Sequence, residues 1–174
     1  DTGSAFGGMG ASREMTIVAL AEPTLLLAIF ALSVRAGSTN LADLLAATLD
    51  DPARVLSPVS LLAAVALLVV LVAETGRLPV DNPTTHLELT MIHEAMVLEY
   101  AGPDLALVEL ASAMRMTVLL GLVATLFWPW GIATALTPAA LALGVLALLA
   151  KVALLGAALG GIEVFLAKLR LFRV

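Results

Sequence analysis

Long apolar runs separated by short polar segments make up most of the chain. Each run reaches about the 20 residues that a helix needs to cross roughly 30 Å of hydrocarbon. Period-2 alternation is weak, and in lipid a continuous apolar run satisfies its backbone groups as a helix. The pattern predicts an all-α integral membrane domain with at least four transmembrane helices, at residues 15–34, 58–74, 105–128 and 138–166.

The polar segment between the first two predicted spans contains a short amphipathic stretch. Ser38, Thr39 and Asn40 are candidate N-caps for a helix over Leu41–Leu49, and Asp50-Asp51-Pro52 ends it. We expect this helix to lie on a membrane surface. Pro58 suits the first turn of the second span.

Residues 75–104 form a second and longer polar segment. Pro79 and Pro83 exclude a continuous helix at its start, because proline lacks the N–H donor and extends the residue before it. Thr84 or Thr85 can cap a helix that runs to Tyr100.

Composition supports the membrane assignment and excludes several functions. The 174 residues are 61% hydrophobic and 13% charged, with a mean hydropathy of +1.06, whereas soluble domains carry about 25% charged residues. The absence of cysteine excludes thiolate-bound iron–sulfur clusters, so redox cofactors must lie in partner chains. A net charge of −5 excludes a nucleic-acid footprint, and no phosphate-binding glycine motif is present.

The basic residues predict an orientation. If the segment that contains Arg77 is cytoplasmic, that side has five basic residues and the other side has Arg35 and Arg54. The five are Arg13, Arg77, Lys168, Arg170 and Arg173. We therefore expect a multi-pass inner (plasma) membrane protein with a cytoplasmic 75–104 segment.

Two charged residues fall deep within predicted spans. Lys151 lies roughly 20 Å into the last span, where it needs a partner or a water-filled cavity. Glu22 lies mid-span beside Pro23, where a kink can admit water. Since such charges cost about 2.5–3.5 kcal/mol, we expect a proton relay or, alternatively, structural polar contacts. For Arg115 in the third span, a proton relay and a structural polar contact both stay open.

The segment from Glu74 to Tyr100 concentrates titratable groups: five acids, two histidines and an arginine. His93-Glu94 lacks the second histidine of a zinc-protease helix, so no metal site is predicted. We expect this polar face to dock a soluble partner or to line a proton entry. The candidate docking residues are Arg77, His86, His93, Glu94 and Tyr100.

The polar segment contains the motif Ala73-Glu74-Thr75-Gly76-Arg77-Leu78-Pro79-Val80-Asp81-Asn82-Pro83, followed by Glu88-Leu89 and Glu99-Tyr100-Ala101-Gly102. This motif resembles the signature of the complex I subunit 1 family. Within that family, residues 85–100 are most similar to the membrane subunits of formate hydrogenlyase and hydrogenase-4. Members carry further spans at both ends, so we expect this chain to be a piece of a longer one.

The resemblance implies a non-catalytic subunit that joins a [NiFe]-hydrogenase arm to the membrane arm and takes part in proton translocation. It implies partners with [NiFe] and iron–sulfur centres, namely the hydrogenase large and small subunits, and antiporter-like membrane subunits within the lipid bilayer. The resemblance suggests Glu22, Glu74, Asp81, Glu88 and Glu99 as proton-pathway residues. Lys151 is added to them because of its depth within the last predicted span.

Two alternatives stay open on the sequence. A quinone-site subunit of a complex I-like NADH dehydrogenase is disfavoured by Thr84 and His86, where quinone-reducing relatives usually carry acids. A passive membrane anchor is the other alternative. Neutralising Glu22 or Lys151 would separate an anchor from a pump.

Overall fold

A computed structural model describes residues 5–76, 96–97 and 100–170. Its described part is helical, which confirms the predicted class. Five α-helices account for nearly all of it: α1 (Ala5–Ala36), α2 (Leu41–Asp50), α3 (Pro58–Glu74), α4 (Pro103–Phe127) and α5 (Pro138–Arg170). A 3-10 helix, Pro52–Leu56, joins α2 to α3.

Three of these helices are long and apolar enough to cross a membrane, namely Gly7–Ala36, Pro103–Phe127 and Pro138–Phe165. The remaining predicted span, α3, has 17 residues, or about 26 Å of helix, slightly less than the hydrocarbon thickness. Helix α3 packs along α1, so it accompanies a full-length span through the same layer.

Local sequence explains where these helices begin and end. The Asn40 side chain accepts a hydrogen bond from the Ala42 amide at 3.1 Å, as its predicted cap role requires. Ser57 caps α3 ahead of Pro58. Helix α1 continues through Pro23 and ends before Gly37, whose φ of 72° suits glycine.

The core lies where α1, α2, α3 and α4 meet. Its buried residues are Ala28, Leu32, Leu44, Ala63, Leu67, Val123 and Leu126. The amphipathic α2 contributes Leu44, which is 2% exposed, and therefore packs across the ends of α1 and α4. Most other large apolar side chains are exposed, as expected of helices that face lipid or further membrane helices.

Helices α4 and α5 form an antiparallel pair with an unusual connection. Residues 128–137 run back along α5, so that a Cβ on Gly131 would lie 2.9 Å from the Ala147 Cβ. Trp128 and Trp130 therefore lie beside Lys151, roughly 20 Å along α5 from its start at Pro138. The aromatic pair and the beginning of α5 thus lie at different depths.

Candidate functional site

Three charged residues from three helices meet at the C-terminal end of α3. The Arg115 guanidinium of α4 lies 3.3 Å from the Glu14 carboxylate of α1 and 3.5 Å from the Glu74 carboxylate of α3. Arg115 also donates to the backbone carbonyl of Glu74 at 3.5 Å. We call Glu14, Glu74 and Arg115 the charge triad. It contains two carboxylates and one guanidinium.

Glu74 is the most buried member of the charge triad. Its side chain is 13% exposed, against 28% for Glu14 and 48% for Arg115. Glu74 Oε2 faces Arg115, whereas Glu74 Oε1 is buried and has no hydrogen-bond partner among the described residues. Burying a carboxylate oxygen without a donor is costly, so this oxygen is the natural acceptor for a proton or for an incoming donor.

Lys151 has two partners at the end of α4. Its ammonium donates to the carbonyl of Trp128 at 2.6 Å and to the carbonyl of Trp130. These carbonyls lie just beyond the C-terminus of α4, where the helix dipole favours a cation. The predicted need for a partner is met by backbone carbonyls rather than by a carboxylate.

Glu22 lies near the middle of α1 on an exposed face. Its side chain has no hydrogen bond or ion pair within the described ranges 5–76, 96–97 and 100–170. Along α1 it is about 12 Å from Glu14, while Trp128 is about 20 Å along α4 from Arg115. The described side chains therefore do not connect Glu22, Glu74 and Lys151 by direct contacts.

A second polar cluster lies at the opposite end, around Arg35 of α1. Arg35 donates to the Arg54 carbonyl at 2.7 Å, to the Thr48 hydroxyl at 3.1 Å and to the Ser60 hydroxyl. Ser60 and Thr48 are fully or almost fully buried. One guanidinium thus ties α1 to α2, the 3-10 helix and α3 using neutral acceptors.

Most of the predicted site residues of the 75–104 segment lie outside the described part of the chain. These residues are Arg77, Asp81, His86, Glu88, His93, Glu94 and Glu99. Tyr100 is described and half-buried, and its amide donates to the Val97 carbonyl at 3.0 Å. Within the described ranges, no group of three potential metal ligands comes together.

The charge triad is built where α3 leads into the motif that begins at Ala73. A family model described as NADH dehydrogenase matches residues 1–174, the whole sequence. The chain belongs to this family. The resemblance to complex I subunit 1 inferred from the motif is therefore confirmed.

Two curated relatives of this NADH dehydrogenase family chain come from Escherichia coli (strain K12). Hydrogenase-4 component C is 35% identical over 158 residues, which cover 89% of this chain and 48% of the relative. Formate hydrogenlyase subunit 4 is 33% identical over 131 residues, which cover 75% of this chain and 41% of the relative. The chain thus spans less than half the length of either relative.

Sequence reasoning missed two partners in these sites. Glu14 was not singled out, although Arg115 within a span required an acid, and Glu14 is one of the few acids in the first 50 residues. Arg35 was counted only for orientation. A requirement that every cation in or beside a span have an acceptor would have drawn attention to both.

Proposed function

We propose that this chain is part of a membrane subunit of a formate-hydrogenlyase-like energy-converting [NiFe]-hydrogenase, which links the hydrogenase arm to the membrane arm and takes part in proton translocation. The family match and the names of the two relatives support the complex type. The [NiFe] and iron–sulfur centres belong to partner subunits in this proposal, because the sequence has no cysteine to bind clusters.

The observation that carries the proton role is the buried Oε1 of Glu74 in the charge triad, which has no hydrogen-bond partner in the described part of the chain. With both acids ionised, the triad has one more carboxylate than its single guanidinium neutralises. A proton bound at Glu74 removes that excess, and Arg115 keeps Glu14 as its partner. The triad can therefore gain and lose one proton without leaving Arg115 unpaired.

Location supports coupling to redox chemistry in a soluble arm. Glu74 is the last residue of α3 and directly precedes the polar 75–104 segment, which we expect to be cytoplasmic. In the proposed cycle, movement of a partner against this segment changes which donor reaches Glu74 Oε1. Protons then continue along a hydrated route that includes Glu22 and Lys151, with water bridging the gaps between them.

Reconstitution of the complete complex in proteoliposomes tests the proposal. Hydrogen evolution and proton translocation across the vesicle membrane are measured together for the wild type and for Glu74→Gln, which keeps the size of the side chain and removes its charge. Asp50→Asn, an exposed acid at the end of α2, serves as the matched control.

We expect Glu74→Gln to assemble and to reduce proton translocation by at least about tenfold, an effect on the scale of a lost acid–base group, while the control matches the wild type. Unchanged translocation per hydrogen evolved would overturn the proton role and leave a passive anchor. Hydrogen evolution that depends on added quinone would instead favour the complex I-like alternative.

A further inference from the structure

One exposed stripe of α1 combines apolar, small and acidic side chains. Met15, Ala19, Glu22 and Leu26 follow the 4-3-4 spacing that places residues on one face of a helix, and all four are exposed. We call them the Glu22 face. The opposite side of α1 carries Ala21, Ala28 and Leu32, which are buried against the rest of the bundle.

The Glu22 face holds two polar groups that lipid cannot satisfy. Glu22 lies near the centre of the Gly7–Ala36 span, and its carboxyl has no partner within the described part of the chain. Pro23 has no N–H, so the Ala19 carbonyl one turn earlier loses its usual helical donor. Both groups lie at one depth and on neighbouring positions of the same surface.

The surroundings of Glu22 indicate what covers this face. Hydrocarbon cannot donate hydrogen bonds, and intramembrane acids are found against protein or water. Ala19 and the proline ring leave room for the close approach of another helix. A second copy of the same face would set two carboxylates opposite each other, which like charges disfavour. Charge complementarity therefore favours a basic side chain as the partner of Glu22.

We propose that the Glu22 face docks a transmembrane helix of another membrane subunit, and that this helix presents a Lys or Arg side chain to Glu22 at mid-membrane depth. The assignment to another subunit rests on the multisubunit assembly of the proposed function. The pairing itself rests on the exposure, depth and charge of Glu22. If Glu22 also carries protons, its ion pair with this basic residue must break and form again in each cycle.

Site-specific photocrosslinking in the complete complex tests the docking. A benzophenone amino acid is placed at Ala19 or Leu26 on the Glu22 face, and at Leu20 as the control, because Leu20 is 70% exposed at the same depth but lies on another side of α1. We expect Ala19 and Leu26 to crosslink to another membrane subunit, within one helical turn of a basic residue, and Leu20 to give no such product.

Three results would overturn the proposal: crosslinks from Ala19 and Leu26 to lipid alone, crosslinks to another part of the same polypeptide, or crosslinks to a helix without a basic residue near that depth. Because crosslinking is measured with Glu22 intact, these results do not depend on whether a Glu22 variant folds.

Charge removal tests the pairing at Glu22. With the probe at Leu26, we expect Glu22→Gln to lower the crosslink yield by about threefold to tenfold, the range for loss of one interhelical polar contact in a membrane. Glu22→Lys combined with replacement of the identified basic residue by Glu should restore it. An unchanged yield in Glu22→Gln would overturn the ion pair.

The docking and the proton function can fail separately. Crosslinks from the Glu22 face together with unchanged proton translocation in Glu74→Gln would support the interface and reject the proton role. Loss of translocation in Glu74→Gln without any crosslink from the Glu22 face would do the reverse.

Discussion

Arg115 and Glu74 are separated by 41 positions in the sequence, yet the guanidinium of one lies 3.5 Å from the carboxylate of the other. This contact joins the end of α3 to the middle of α4, and Glu14 extends it to α1. Since α3 and α4 are joined through the polar segment, the ion pair fixes the two helices between which that segment runs.

We expect Arg115→Gln to destabilise the assembled subunit by about 1–2 kcal/mol, because it leaves the buried Glu74 without a cation while Arg115 itself is half-exposed. The free energy of unfolding in mixed detergent micelles measures this. Arg54→Gln is a matched control, since Arg54 is similarly exposed at 44% but pairs with Asp51 only within one turn.

Adding Glu74→Gln to Arg115→Gln should recover part of the lost stability, because no uncompensated buried charge remains. Strict additivity of the two single changes would show that Arg115 and Glu74 are not coupled.

Lys151→Met should loosen the turn after α4, because the carbonyls of Trp128 and Trp130 lose their shared donor. Hydrogen exchange of residues 128–137 should become roughly tenfold faster, as expected for loss of a hydrogen bond to a charged group. Lys151→Arg should retain most protection. Leu154→Met, an exposed change one turn further along α5, provides the control.

If Lys151→Met leaves hydrogen exchange unchanged but lowers proton translocation, Lys151 is a proton carrier rather than an anchor of this turn. The two measurements thus separate the two roles predicted for this residue.

Gly131→Ala should destabilise the α4–α5 pair by about 2–3 kcal/mol, since it combines a positive φ with an overlap. The φ of Gly131 is 80°, and the added Cβ would meet the Ala147 Cβ at 2.9 Å. Gly37→Ala isolates the backbone contribution, because Gly37 has a φ of 72° but open space around it. Its expected cost is about 1–2 kcal/mol.

Ala147→Gly in the Gly131→Ala background should recover the difference between these two costs. No recovery would mean that residues 128–137 do not pack on α5 as described. Unfolding midpoints in detergent for the wild type and these three variants give the differences.

Elements governed by neighbouring residues were predictable from the sequence. The short helix after Asn40, its cap and the start of α3 at Pro58 follow from local hydrogen bonds and proline geometry. The lengths of the spans follow from hydropathy. These features need no information about which helices touch.

Features governed by contacts between helices were not predictable. The depth of Lys151 required a partner, but its acceptors arise from a turn that runs back along α5, which no periodicity indicates. Arg115 was ambiguous because its two acids lie on separate helices. For Glu22, the sequence gives the depth but not the direction in which the side chain faces.

The acceptors of Arg35 all belong to residues 48–60, which has a consequence for biosynthesis. The α1–α3 hairpin can close as soon as α3 leaves the ribosome, because its guanidinium clamp requires nothing later in the chain. The ion pairs that Glu14 and Glu74 make with Arg115 form only when translation has reached α4. Insertion of α4 by the translocon therefore brings a guanidinium to two acids already at the membrane.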